Sequence, residues 1–348
     1  MLQVDIVVPS HGIWRSLLDY PPDGVSYSVV SPLRARFPSR RLTHFGNGLL
    51  KTMRRRGIVD FESVKVFYAL PCKGMKKRHV EENMTYVALS NFAKLTFEAN
   101  IANRCDVRVI RPGVRVNRQP RVQGDRFDIL FVSGATDDGS FFGKGGLYLM
   151  DALKRLHDNS IRLHTASAIN ASDESLKGNA PHYLDSEGRN WTALYREAKS
   201  AGWLIDHGRM ERQSVLKLMS SARLVAIPAF YDTVCYSLME ASYLGTPILT
   251  SDTMFMKEFY GDIATFVKAP ASYYMPDGSF NCNFDEQIRA VDGDLSSRWA
   301  DTIHETVDRL SSPSNFKVAS ELSMAKFERS IEERNAALKK LYEEKEAN

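Results

Sequence analysis

Short apolar runs alternate with amphipathic stretches along most of this chain, and that alternation predicts strands separated by helices. In the first third, residues 4–8, 26–30, 64–70, 86–90 and 107–110 read as strands. Residues 47–56, with Leu49, Leu50 and Met53 on one side, and residues 91–102 read as helices. A polar, aperiodic stretch at 115–125 reads as a linker. Beyond it, 127–132, 161–165, 203–207, 224–227, 247–250 and 264–267 carry strand patterns. Helical patterns cover 147–156, 191–201, 212–221, 234–244, 297–310 and 325–344. Strands alternating with helices argue for parallel sheets covered on both faces. We expect one α/β domain over 1–120 and a second over 125–324, with the closing helix from 325 returning to the first.

Composition narrows the class. The chain has 348 residues, 43% of them hydrophobic and 25% charged, as expected of a globular protein large enough for two cores. It contains no run of 18 apolar residues, the minimum for a membrane-spanning helix. The start, Met1-Leu-Gln-Val-Asp5-Ile-Val-Val-Pro9, reads as a first strand and not as a signal peptide, because it lacks a basic leader and carries an early acid. Four scattered cysteines (Cys72, Cys105, Cys235, Cys282) form no C-x-x-C pair, so we expect neither a zinc site nor a disulfide framework, and a reducing cytoplasmic setting.

The net charge of +4 conceals an asymmetry. Residues 1–120 carry 20 basic against 9 acidic side chains, or +11, and the remainder carries 26 against 33, or −7. Arg34, Arg36, Arg40, Arg41, Lys51, Arg54, Arg55 and Arg56 form one basic cluster, and Lys73, Lys76, Lys77 and Arg78 another. A field of that sign attracts an anionic partner.

The densest chemistry lies in Pro228-Ala-Phe-Tyr-Asp232-Thr-Val-Cys-Tyr-Ser-Leu-Met-Glu240-Ala-Ser-Tyr-Leu-Gly-Thr-Pro247. Asp232 stands at a strand-to-helix turn, and Glu240 follows eight residues later. On a single helix the two would lie about 12 Å apart at roughly 1.5 Å per residue, and free amides at the helix start would suit a diphosphate. Glu240 shares its face with Tyr236, Ser237, Tyr243 and Leu244, a neighbourhood too apolar for a routine surface acid.

This block resembles the E-x7-E segment of retaining glycosyltransferases of family 4. Asp232 takes the first acid position, Glu240 the second, and Thr233-Val234-Cys235 replaces Gly-Phe-Gly. Two further segments extend the resemblance over roughly residues 86–345: Ser90 with Pro112-Gly113-Val114, and Phe131-Val-Ser-Gly134 leading to Lys144-Gly145-Gly146. The resemblance implies the GT-B fold, two Rossmann-like domains with an interdomain cleft, and a nucleotide-sugar donor, UDP- or GDP-linked, in the C-terminal domain. It further implies transfer with retention, without a metal or other cofactor.

The resemblance also distributes roles. Glu240 would hold the ribose, the amides of Thr233, Val234 and Cys235 the diphosphate or sugar, Asp232 a sugar hydroxyl, and Lys144 the phosphate charge. Gly134 opens the loop that precedes Lys144. The family's diphosphate arginine is absent near Ala135, which leaves Arg209 as a candidate replacement; Arg209 and Met210 lie in the loop expected to meet the nucleobase. In the first domain, His11 and Gly12 follow the first strand at its carboxyl end, where doubly wound folds bind ligands. Asp137-Asp138 and Asp292-Gly-Asp294 read as solvated turns rather than metal sites. The basic half points to an anionic acceptor: a membrane lipid or lipid-linked saccharide first, with attachment at the inner face of a membrane, and DNA second. The substitutions at Ala135, Asp232, Thr233 and Cys235 keep open a non-catalytic protein that binds sugar nucleotides or glycans.

Overall fold

The structure, a computed structural model, describes residues 1–7, 12–31, 41–46, 57–63, 79–118, 121, 124–133, 141, 144–156, 158–167, 169, 191–230, 232–269, 271–284, 286–287 and 292–347. The chain forms two units: Met1–Arg115 with Tyr274–Cys282 and Phe327–Asn348, and Val116–Tyr273 with Asn283–Lys326. Each is built on a parallel sheet of six strands.

In the first unit, β1 (Leu2–Val7), α1 (Gly12–Asp19), β2 (Val25–Val29), β3 (Leu42–Phe45), β4 (Gly57–Phe61), β5 (Met84–Ala88), α2 (Asn91–Asn100) and β6 (Asp106–Val109) follow one another. The strands lie in the order β2-β1-β3-β4-β5-β6. The second unit continues with β7 (Phe127–Val132), α3 (Gly146–Leu156), β8 (Ile161–Ala166), α4 (Trp191–Ser200), β9 (Leu204–Asp206), α5 (Arg212–Ser221) and β10 (Leu224–Ile227). Then come α6 (Tyr236–Tyr243), β11 (Ile248–Ser251), α7 (Met254–Tyr260), β12 (Ala264–Val267), α8 (Asp292–Ser311) and α9 (Pro313–Phe327). Its order is β12-β11-β10-β7-β8-β9. Strands covered on both faces must be apolar throughout; Ile129, Leu130 and Phe131 of β7 and all four residues of β10 are accordingly buried.

The order of the second sheet determines where a ligand can bind. β7 pairs on one side with β8 and on the other with β10. The order reverses between β7 and β10, so the connections that leave these two strands diverge to opposite faces and leave a crevice at their carboxyl ends. Lys144 lies in the connection after β7, and Asp232 in the connection after β10. On one face α3 packs against α4 and α8; elsewhere α5 packs against α6.

The last helix, α10 (Ser330–Ala347), belongs to the first unit. Tyr342, fully buried, places its hydroxyl 2.7 Å from His44 Nδ1 and 2.9 Å from the Tyr27 hydroxyl. His44 Nε2 lies 3.1 Å from the Asp60 carboxylate, which also accepts the Trp14 indole N–H at 2.6 Å. Arg334 donates to the Ser16 hydroxyl and the Tyr20 carbonyl. A buried polar chain of this kind is favourable only when its members are satisfied, so it fixes one seat for the helix. Gly113 lets the helix come close: a Cβ there would lie 2.7 Å from the Ser330 carbonyl oxygen.

Several sequence expectations need correction. The helix expected at 234–244 starts at Tyr236, because Cys235 adopts a left-handed backbone with φ of 47° and cannot begin it. Asp232 therefore stands off the helix that carries Glu240, and the single-helix distance between them does not apply. The helix expected at 325–344 begins at Ser330, as α10, and a separate helix that was not expected, α9, precedes it and opens on Pro313. Strands β3 and β4 and helix α7 carried no pattern that was recognised, and residues 274–282 leave the second unit for the first. The helix expected at 47–56 and the strand expected at 64–70 lie outside the described residues, as do all the basic residues of the two clusters except Arg41.

Candidate functional site

Asp232 and Lys144 meet at the mouth of the crevice in the second unit. Lys144 Nζ lies 2.8 Å from Asp232 Oδ2, and Oδ1 of the same carboxylate accepts the Thr233 amide at 3.0 Å. Burial works against the charge of Asp232, but the Lys144 ammonium, with help from the Cys235 thiol and the Thr233 amide, outweighs it and holds the carboxyl below its usual range. Two residues 88 positions apart in the sequence are therefore one electrostatic unit.

Lys144 reaches this position because of the glycine that follows it. Gly145 has φ of 77°, and a Cβ there would lie 2.4 Å from the Pro228 carbonyl oxygen. Only a residue without a side chain lets the turn before α3 pass this close to the turn after β10. On the other side, Tyr260 from α7, fully buried, donates its hydroxyl to the carbonyls of Val234 and Cys235 at 2.5 and 3.1 Å. Cys235 then caps α6 in a conformation that side chains rarely adopt, a strain held in place by these contacts. Its thiol is buried and pushed well up, first by burial and then by the neighbouring Asp232 charge.

Thr233, Val234 and Cys235 are all buried; the Thr233 amide is taken by Asp232, so Val234 and Cys235 would present amides rather than side chains to a ligand at the start of α6. One turn further on, Glu240 is 7% exposed yet bears a carboxylate. Arg212, the first residue of α5, donates to Glu240 Oε1 through Nε at 3.0 Å and through a terminal nitrogen at 2.7 Å. Burial raises the Glu240 carboxyl above its usual range, and the Arg212 guanidinium opposes that rise only in part. Arg212 is the residue that sequence reasoning missed. A basic residue at the start of a helix, where the dipole disfavours it, was the available signal.

The remaining candidates fall in different places. Arg209 is exposed and Met210 half-buried, in the loop after β9, and His207 in that loop stacks on His164 with Nε2 3.0 Å from His164 Nδ1. Gly12 opens α1 of the first unit. His11, Gly134, Asp137 and Asp138 lie outside the described residues. Among the described residues no three His, Cys, Asp or Glu side chains gather as metal ligands, and no helix is long and apolar enough to cross a membrane.

No protein-family model matches the chain, and no curated protein matches it by sequence. Solved structures do match it in fold. HepE of Anabaena, in complex with UDP and glucose, aligns with a TM-score of 0.59 at 11% identity, over 97% of this chain and 98% of that one. A sucrose-phosphate synthase from Thermosynechococcus elongatus gives 0.58 at 13% identity, over 99% of each chain. The pneumococcal O-GlcNAc transferase GtfA, in complex with UDP and GlcNAc, gives 0.58 at 11% identity; the alignment covers 90% of this chain but only 58% of GtfA. Two parallel α/β units of this kind define the GT-B architecture.

The packing of this turn makes a stability prediction. Gly145→Ala meets both a positive φ and the Pro228 carbonyl, and should cost about 1–3 kcal/mol. Cys235→Gly relieves a left-handed backbone while losing a small buried side chain, and should stay within about 1 kcal/mol of the parent. Denaturant unfolding of the two variants measures both values, and equal destabilisation would contradict the assigned roles.

Proposed function

We propose that this chain is a glycosyltransferase of the retaining, family 4 kind, which takes its sugar from a nucleoside-diphosphate donor. The observation that carries the reading is the arrangement around α6. A carboxylate–ammonium pair, Asp232 with Lys144, stands before the helix, a buried acid, Glu240, stands within it, and both lie beside the strand-order reversal. The same segments resemble the family's donor block. UDP is the first nucleotide to test, since HepE and GtfA were each solved with it.

In this reading Glu240 receives the ribose, the amides at the start of α6 receive the diphosphate, and Asp232 receives a sugar hydroxyl. Lys144, already beside Asp232, turns its ammonium to the phosphate oxygens as negative charge grows there. The acceptor hydroxyl oxygen bonds to the anomeric carbon as the bond from that carbon to the diphosphate oxygen breaks. Both events occur on one face, so configuration is retained. The hydroxyl proton passes to the departing phosphate oxygen, and no metal or further cofactor is required. Catalysis is then mainly positioning and electrostatic support of the leaving group.

The acceptor we propose is an anionic membrane glycolipid or lipid-linked saccharide, drawn by the +11 charge of residues 1–120 and met by a protein bound peripherally to a membrane. The protein should co-sediment with vesicles containing anionic lipid, and release should follow rising salt. Retention by duplex DNA with no vesicle binding would replace the lipid with DNA as the acceptor surface.

The donor reading is tested with UDP-, GDP- and ADP-sugars. One of them at a hundredfold excess over its dissociation constant should stabilise the protein by about 2.7 kcal/mol, seen as a raised melting temperature. Glu240→Ala should abolish the shift. Sugar transfer or slow donor hydrolysis should accompany binding. Binding without either reaction would instead favour a sugar-nucleotide-binding protein, and no shift with any donor would end the proposal.

A further inference from the structure

Arg212 has no part in the donor chemistry described above, yet its placement is costly. It is the first residue of α5, where the helix dipole repels a cation, and the Glu211 cap before it makes no side-chain bond to offset this. Its side chain is 37% exposed while that of its partner Glu240 is 10% exposed, so it reaches inward from solvent to a buried acid. The pairing is also unusual in form. An arginine–carboxylate pair built for strength sets two nitrogens on two oxygens. Here Nε and a terminal nitrogen both donate to Oε1, and no described residue is hydrogen-bonded to Oε2.

We propose that Arg212 is the positioning residue of the donor site: its guanidinium occupies Glu240 Oε1, fixes the carboxylate plane, and reserves Oε2 to accept the ribose hydroxyls of a ribonucleotide. The proposal rests on the donor reading above and deepens it, since a reserved acceptor makes the site selective for ribose over 2′-deoxyribose. An acceptor covered by the bound nucleotide but left without its hydroxyl partner is penalised, and this is the source of the discrimination.

The arrangement also decides the charge of the acid. Burial is the largest influence on Glu240 and favours the neutral form; Arg212 is the opposing influence. Among the described residues, Arg212 on the packed neighbouring helix is the charged group acting on it, and Tyr236 and Tyr243 are the titratable groups on its own helix. Removing Arg212 therefore lets the carboxyl rise further, so a larger share of the acid carries a proton at a given pH and that share falls as pH is raised. A purely structural role for Arg212 would not produce that pH dependence.

The experiment is calorimetric titration with UDP, GDP and ADP from pH 6 to 9 on the parent, Arg212→Lys, Arg212→Met, Glu240→Gln and the Arg212→Met/Glu240→Gln double variant, with the 2′-deoxy form of whichever nucleotide binds. Arg212→Met should weaken binding about tenfold or more at pH 7, the scale of a lost charge-assisted bond, and the loss should shrink as pH rises. Arg212→Lys, which can still place a cation on Oε1, should recover much of the affinity and a flatter pH profile. The preference for ribose should narrow in Arg212→Met, and that substitution should have little effect once Glu240 is Gln. Parent-like affinity and pH profile in Arg212→Met would overturn the inference. So would a loss that is equal at every pH and persists beside Glu240→Gln. A parent protein that binds none of the three nucleotides would instead defeat the donor reading, and the inference with it.

Discussion

The second unit places two acids in poor solvent and supplies each with a cation from a neighbouring connection. Asp232 faces Lys144 from the connection after β7, and Glu240 faces Arg212 from the start of α5. Removing one partner would leave a buried charge uncompensated, which is far costlier than losing a surface pair. The two pairs therefore tie together three connections at the carboxyl end of the sheet, and the shape of that end depends on them. They differ in balance. For Asp232 the cation and its amide and thiol partners prevail over burial, while for Glu240 burial prevails over the cation. The surroundings of Asp232 favour its charged form, and those of Glu240 favour its neutral form, with Arg212 opposing.

Local rules are broken around this point more than elsewhere. Cys235 stands in a left-handed conformation, Arg212 opposes a helix dipole, and Glu240 is a buried carboxyl with a raised affinity for its proton. Sequences that specify a fold well break such rules chiefly where function requires it. The first unit uses buried polar groups differently. Its chain from Trp14 through Asp60 and His44 to Tyr342 and Tyr27 seats a helix.

Much of the second unit was legible in the sequence. Residues 127–132, 212–221 and 224–227 carried apolar patterns that coincide with the observed elements, because strands covered on both faces and helices with one buried stripe leave little freedom of pattern. The first unit was less legible. β3 holds His44 and β4 holds Asp60, polar residues buried against each other and against Trp14 and Tyr342 from distant parts of the chain, and no local window reveals those partners. Asp232, Glu240 and Lys144 could be picked out by the resemblance of their segments to the family's donor block. The Lys144–Asp232 contact could not, since it depends on β7 and β10 being neighbours across 90 residues. Arg212 was hidden for the same reason, and the helix start at Tyr236 because Cys235 occupies a backbone region that composition does not suggest for cysteine.

The central claim is that a nucleoside diphosphate is received at the start of α6, between the two charged pairs. Hydrogen–deuterium exchange with and without a saturating nucleoside diphosphate, UDP, GDP or ADP according to which binds, tests it directly. The account predicts slowed exchange at the amides of Val234 to Ser237, which would donate to the phosphates; those of Thr233 and Leu238 are already held by Asp232 and by the Cys235 carbonyl. Nucleotide binding that leaves those amides unchanged and protects only other parts of the chain would contradict it.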